Sequence, residues 1–590
     1  MNLQNFQNLS VSKCSQCLSG KWLLAFLCFF LFACSSPRKE KADLIVHNAV
    51  IYTVDSSFST AESFAVKDGK IIAVGKNDSI LAKYDGEKFD AQGKAVFPGL
   101  IDAHCHFYSY GLGLKKVDLE GTRSFDEVIE KVKSQKLKVT GGSEWIIGRG
   151  WDQNDWDKKD FPTNEQLDAL FPNTPVFLTR VDGHAALVNS EALRRANISE
   201  KTKVDGGIVE VKNGKLTGIL VDNAVDLVSK IIPTASKTEA REALLAAQKN
   251  CFTVGLTTVD DAGLDKQIVE LMDELQKNNE LKMRVYAMLS DNKENLGYYL
   301  EHGPYKTERL NVRSFKFYAD GALGSRGACL LQDYSDKKAW KGFLLNKEMH
   351  FMEMADQVFS KHWQMNTHCI GDSACRLIIS TYSNPYQMSD MMRMMVKEPP
   401  PFKKEPYENM RWRIEHFQVT TKQDIDSLYK FNFVDGKNRF NIIPSVQPTH
   451  ATSDMYWAKD RLGEERIKYA YAYKDLLKAA GMVALGTDFP VENINPMYTF
   501  YAAVARKDLK GFPKDGFQME NALTREETLK GMTIWAAFAN FEEKEKGSIE
   551  TGKFADFVIL DKDIMKINID EVPKVKVVST YINGEKIYSK

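Results

Sequence analysis

The chain has 590 residues, 43% of them hydrophobic and 27% charged. That is an ordinary globular composition, long enough for two to four compact units or for one large barrel with insertions and a satellite domain, and it excludes a chain disordered over long stretches. Basic and acidic residues balance at 79 each, so no broad positive field exists and no nucleic acid is expected as a partner.

The first segment reads as a targeting signal rather than as part of the fold. Lys13 and Lys21 precede the apolar run from Trp22 to Ala33, too short to remain as a membrane span but suited to a signal-peptide core. It ends Leu31-Phe32-Ala33-Cys34, which resembles a bacterial lipobox. Cleavage of residues 1–33 would leave Cys34 as the lipidated first residue, tethering the body in water outside the cytoplasmic membrane, periplasmic or at the outer membrane. A plain secretory signal with an incidental Cys34 is the alternative. Residues 1–33 carry two Lys and no acid, so the mature chain has net charge −2. Of nine cysteines, Cys14, Cys17 and Cys28 leave with the signal. Cys105, Cys251, Cys329, Cys369 and Cys375 remain beside Cys34, an odd and sparse set that is no disulfide framework.

Residues 35–42 form a short polar linker. Alternating β runs follow at Asp43–Val54, Ser63–Lys67 and Lys70–Gly75, with Asp68-Gly69 as a hairpin turn. Runs at Ala555–Leu560 and Val575–Gly584 mirror them. The two chain ends, 43–94 and 545–590, are therefore expected to build one small β-sandwich domain. Between them, residues 95–544 alternate strands with helices. The candidate core strands are Ala95–Ala103, Phe252–Val259, Met283–Leu289, Ser314–Tyr318, Gln364–Thr367, Arg411–Glu415, Ile442–Gln447 and Met482–Gly486. Helical patterns at Thr238–Lys249, Lys266–Asn278, Lys422–Lys430 and Tyr473–Ala480 separate several of them. The fold class is thus α/β, a (β/α)8 TIM-type barrel. Residues 108–230 interrupt the rhythm and are expected to form a lid or wall over the mouth of the site.

Chemistry-bearing residues recur at the strand ends. His104 and His106 flank Cys105, so alternation along a strand points both imidazoles one way and the thiol the other. His368, His416 and Asp488 each close an apolar run. A parallel barrel gathers such ends at one rim, and imidazole with carboxylate suits zinc, or manganese, iron or nickel. His47, His302, His350 and His362 lie away from strand ends and read as ordinary.

The ordered set Pro98–His106, His368, His416 and Gly486-Thr487-Asp488, closed by Gly547–Asp561, resembles the amidohydrolase superfamily. Gly148–Asp152, Arg180–His184, Lys316–Ser325, His368–Asp372, Ser445–Pro448 and Thr487–Glu492 narrow the likeness to its amidohydrolase-3 branch, the YtcJ-like and N-substituted formamide deformylase-like proteins. The likeness runs from about residue 43 to the end. It implies one or two divalent ions held by His104, His106, Lys316, His368, His416 and Asp488. In this branch Lys316 would be carboxylated, becoming an anionic bridging ligand; an unmodified strand lysine pairing with Asp320 is the plainer reading. A bound ion would acidify its water, Asp488 would handle the proton, and the cleaved bond would be an amide, N-formyl or cyclic amide C–N bond of a small molecule. In this scheme His104 and His106 hold one ion, His368 and His416 the other.

Candidate substrate contacts are Trp151, Arg180 and His184 in the insertion, Asp320 past the fourth strand, and Gln447 and His450 past the seventh. Deamination or ester cleavage on the same scaffold, and a non-catalytic lipid-anchored binding protein, are the competing readings. The last is disfavoured because every expected ligand position is filled. Oligomeric state is left open, a homo-oligomer included.

Overall fold

The structure, a computed structural model, describes residues 39–136, 145–399, 401, 404 and 407–590. The proposed signal and Cys34 lie outside the described residues. Eight parallel strands form the centre: β1 (Leu100–Cys105), β2 (Leu256–Leu264), β3 (Arg284–Ser290), β4 (Leu310–Tyr318), β5 (Gln364–Cys369), β6 (Trp412–His416), β7 (Ile442–Val446) and β8 (Ala484–Leu485). Each pairs with the next in chain order. They are buried almost throughout, as strands covered on both faces must be. The (β/α)8 barrel expected from the sequence is present.

The strand order runs from β8 to β1 without a ladder between those two. The gap is closed by other bonds. The Asp488 N–H donates to His104 C=O at 2.8 Å. The Asp102 carboxylate accepts from the Thr487 N–H at 2.9 Å and from its hydroxyl at 2.6 Å. Gly486 permits this approach, since a Cβ there would lie 2.5 Å from His104 N and 2.8 Å from His104 O.

Around the strands pack helices whose sequences carry their own start and stop signals. Lys237–Thr253 begins with a capping box, Ser236 with Glu239, and Lys422–Asn432 with another, Thr421 with Asp424. Lys266–Lys277 buries Val269, Met272 and Leu275 along one stripe. Tyr473–Ala480 stops at Gly481 in the left-handed region, φ 82°.

Two sequence expectations need correction. The run Ala95–Ala103 is two strands. Ala95–Pro98 pairs with Val50–Tyr52 and Phe557–Leu560 in another sheet, and only Leu100–Cys105 belongs to the barrel. Pro98 lacks an N–H to continue a ladder. At Gly99 any Cβ would overlap Thr257 Oγ1, so the chain slips from one sheet into the next there. The strand expected from Phe252 begins instead at Leu256. Cys251 and Phe252 extend the buried face of the preceding helix, and Gly255, φ +86°, makes the turn.

The ends of the chain meet in two sheets, one ordered 70–75, 63–67, 40–47, 84–90 and one ordered 585–589, 577–582, 557–560, 95–98, 50–52, 60–61. Val46, Phe64 and Val66 of the first and Ile51, Val96 and Ile559 of the second share one apolar core. Within the long insertion six strands form a separate sheet, 207–212, 215–222, 185–188, 176–180, 146–151 and 117–118 in spatial order. It has apolar clusters on both faces.

Candidate metal centre

His104 ends β1 fully buried. His106 lies one residue past the strand, at the start of helix Phe107–Gly113, and is the more exposed of the pair. Cys105 points away and its thiol approaches Asp260 C=O. Lys316 of β4, His368 of β5 and His416 at the end of β6 enter the same cavity, of about 500 Å³, with His450 and Asp488. His416 and Asp488 turn inward through positive φ, 68° and 64°, a conformation that non-glycine residues adopt rarely. The structure brings His104, His106, Lys316, His368, His416 and Asp488 to one rim.

Asp488 is the hub. His106 Nε2 lies 3.2 Å from Oδ1 and His104 Nε2 3.8 Å from it. On the other side His450 Nε2 lies 3.5 Å from Oδ2 and His416 Nδ1 4.0 Å from it. Two three-residue groups result, His104–His106–Asp488 and His416–His450–Asp488, each with ligand atoms within 4.8 Å of one another. His368 stands beside the second group, its ring 4.5 Å from that of His416. His450, read from sequence only as a substrate contact, completes that group geometrically.

The electrostatics suit a cation. Burial, then neighbouring imidazoles and Lys316, hold His416 and His368 well below the usual imidazole range, so both are neutral donors. Burial alone would push Asp488 up, but the imidazoles of His106, His104 and His450 outweigh it and keep the carboxylate ionised. Two outer ring nitrogens are engaged away from Asp488, His104 Nδ1 with Glu415 Oε2 at 2.6 Å and His106 Nδ1 with Ala262 C=O at 3.0 Å, while His416 Nδ1, on the Asp488 side, also meets Gln447 Oε1 at 2.7 Å. That leaves Nε2 of His104 and His106 facing Asp488, the arrangement of metal-binding histidines. The Nε2 atoms of His368 and His450 and Oδ1 of Asp488 are buried without a hydrogen-bond partner. Buried polar atoms are rarely left so, and a divalent cation at either group would engage Asp488 and the imidazoles of that group. The residues present fit such an ion.

Lys316 does not pair with Asp320. Its Nζ lies 3.2 Å from His104 Nε2, and burial lowers its ammonium to about 8. Asp320 instead accepts from the N–H groups of Cys329, Ile370 and Gly371 at 2.7–2.9 Å, fastening the loops after β4 and β5. It is fully buried and does not line the cavity, so the expected substrate contact is corrected. Trp151 is corrected likewise. Its ring is buried among Leu119, Trp156 and Leu178 and its N–H donates to Leu178 C=O, making it core of the insertion rather than a cavity wall. Arg180, buried between Asp152 and Asp182 with Gln153 as a third partner, lines an adjoining chamber of about 290 Å³. Gln447 acts on His416 rather than on the open cavity. His184 does face the cavity, its Nδ1 2.7 Å from Asp222 Oδ1 and its ring 4.9 Å from that of His368.

Sequence reasoning missed Glu415, Arg149, Asp222 and Tyr318. Arg149 lines the cavity while its guanidinium donates to Val181 C=O at 2.7 Å. Tyr318 follows Lys316 by two residues, so strand alternation was signal enough to place it on the same face.

A model of the amidohydrolase family matches residues 87–588. Protein LONG AFTER FAR-RED 3 of Arabidopsis thaliana is 32% identical over 583 residues, spanning 94% of this chain and 92% of that protein. Putative amidohydrolase YtcJ of Bacillus subtilis is 30% identical, spanning 92% and 99%. Among solved structures, an uncharacterized metal-dependent hydrolase from Pyrococcus horikoshii superposes with a TM-score of 0.69 at 26% identity, covering 89% of this chain and 99% of that one. With its family match running nearly to the C-terminus and its barrel rim carrying two histidine groups around one carboxylate, this chain belongs to the amidohydrolase family.

Proposed function

We propose that the protein is a metal-dependent hydrolase of a small molecule's carbon–nitrogen bond, an amide, N-formyl or cyclic amide bond. The observation that carries this is the sharing of Asp488 between two histidine groups at the open rim of the barrel. A divalent ion bound there, with zinc the choice best suited to these donors and manganese, iron or nickel the alternatives, supplies Lewis acidity and an acidified water at neutral pH.

The chain's own residues do the rest. Imidazoles of His104, His106, His416, His450 and His368 supply the donors. Asp488, ionised and central, takes the proton of the attacking water and returns it to the departing nitrogen. Lys316, whose burial enlarges its neutral amine fraction, would be carboxylated on this reading and would add negative charge beside His104. His184 and Arg149 of the insertion face the cavity from the substrate side. The proposal includes a lipid anchor on Cys34 that holds the body in water at the cell envelope. Among the described residues no helix is long and apolar enough to cross a membrane.

The test is amine release from a panel of N-formyl amines, N-acyl amines and cyclic amides by the zinc- or manganese-loaded full chain. Asp488→Asn should lower turnover at least ~100-fold while the histidines retain bound metal. Turnover within threefold of the unaltered enzyme would overturn the proton role. Absence of any bound metal in the purified protein would overturn the whole reading.

A further inference from the structure

Beneath the rim, β6 carries a buried charged layer that the proposed reaction does not use. Glu415 Oε2 lies 2.6 Å from His104 Nδ1, and neither side chain has any solvent exposure. At that separation the ring must donate its Nδ1 hydrogen to the carboxylate, which leaves the Nε2 lone pair facing Lys316 Nζ and Asp488. The contact joins β6 to β1 across the barrel interior, between residues 311 positions apart.

The next residue inward, Arg413, is equally buried. Its guanidinium donates to Asp260 Oδ2 and Ala103 C=O at 2.9 Å each and to Asn540. It stays 3.9 Å from Glu415 Oε1, which accepts no hydrogen bond. Asp260 takes a second bond, from Asn540, at 2.7 Å. The layer thus holds two carboxylates and one guanidinium. Glu415 is the carboxylate left over, offset by the His104 ring and by Lys316, in a place where an unbalanced charge is costly.

We infer that Glu415 is a positioning residue for the metal centre. It fixes His104 with its lone pair toward the cavity and supplies the negative charge that a cation on His104 compensates. This rests on the proposed metal-dependent reading.

The test uses the full-length protein, stripped and then titrated with zinc against a competing chelator. It compares the unaltered chain with Glu415→Gln and Glu415→Asp. Gln keeps an oxygen for the Nδ1 hydrogen but removes the charge. Asp keeps the charge but withdraws it by one methylene. Zinc affinity should fall about 10- to 100-fold in Glu415→Gln, with the melting temperature of the metal-free protein little changed, because the amide oxygen still accepts the Nδ1 hydrogen. Glu415→Asp should lie between the two. The absorption bands of the cobalt-substituted protein should shift in both variants, and kcat should fall more than KM rises. Zinc affinity of Glu415→Gln within threefold of the unaltered chain overturns the inference and leaves the hydrolase reading standing. A lowered metal-free melting temperature with unaltered affinity also overturns it, as the mark of a purely structural role. If Glu415→Gln does not fold, Glu415→Asp decides by the same criterion. Failure of the unaltered chain to bind zinc, manganese or cobalt would instead sink the hydrolase reading.

Discussion

Gly486→Ala tests whether the closing seam positions Asp488, the carboxylate proposed to move the proton. The added Cβ would stand 2.5 Å from His104 N and 2.8 Å from both His104 O and Asp102 Oδ1. None of these is the end of a flexible side chain. Two are backbone atoms of a fully buried strand residue, and the third is held by Thr487. Relieving the overlap parts β1 from the segment after β8 by roughly half to one ångström, and overpacking of this kind costs ~1–3 kcal/mol. The same displacement separates His104 from Asp488, whose N–H is tied to His104 C=O. A shift of ~1 Å at a reacting group costs on the order of 100-fold in rate. The expected result is a folded protein with a modestly lower melting temperature and kcat down by about two orders of magnitude. Thermal unfolding, metal analysis and amine-release kinetics on one preparation read all three. Full activity in a stable Gly486→Ala protein would refute the reasoning, because the seam would then have slack that its contacts deny.

Other outcomes follow from the same contacts. Arg284→Met removes the partner of Asp556, a buried carboxylate held at 2.5 and 3.0 Å between the barrel and the terminal sheets. Urea unfolding should show a loss of ~3–5 kcal/mol, and a loss below ~1 kcal/mol would contradict the cost of a buried carboxylate left with the Asn583 N–H but no cation. Burial pushes Asp454 up to about 7, against ~3.9 in an unfolded chain. The folded state is therefore favoured most below the lower value and loses stability as pH rises through 7. Asp454→Asn, which keeps an acceptor for Tyr471 and Gln418, should raise the melting temperature more at pH 8 than at pH 5, and a pH-independent change would count against it. Chelation should abolish turnover and lower the melting temperature. Zinc at 100 times its dissociation constant should return ~2.7 kcal/mol, and indifference of the melting temperature to zinc would argue that the histidine groups hold no ion.

The architecture was legible because its signals are local. Six of the core strands were placed within a few residues of their observed positions, since buried parallel strands read as apolar runs bounded by turn residues. The failures came where one apolar run served two sheets, as at Pro98-Gly99, or where a helix ended apolar, as at Phe252. Neither boundary changes the hydrophobic pattern. Within the site, His104, His106, His368, His416 and Asp488 could be named because each lies at or just past the end of an apolar run. His450 could not be ranked, since its place beside Asp488 depends on how the helix Pro448–Asp454 leaves β7. Trp151 and Asp320 were misjudged for a related reason. A tryptophan or an aspartate near a strand end looks the same in sequence whether it faces the cavity or fastens a loop behind it. Glu415 was overlooked because a carboxylate one residue before a metal-type histidine draws no notice until Arg413, Asp260 and Asn540 are seen around it.

The bond between Asp102 and Thr487 spans 385 positions of the chain. While the protein is being synthesised, β1 emerges early and waits for almost all of the remaining sequence before its neighbour on that side exists. Contacts of such separation are slow to form and leave partly assembled barrels exposed. A nascent or truncated chain ending before Asp488 would present His104 and His106 without the carboxylate that groups them. On the proposed reading, a cation would therefore be loaded only after the segment that carries Asp488 has been made.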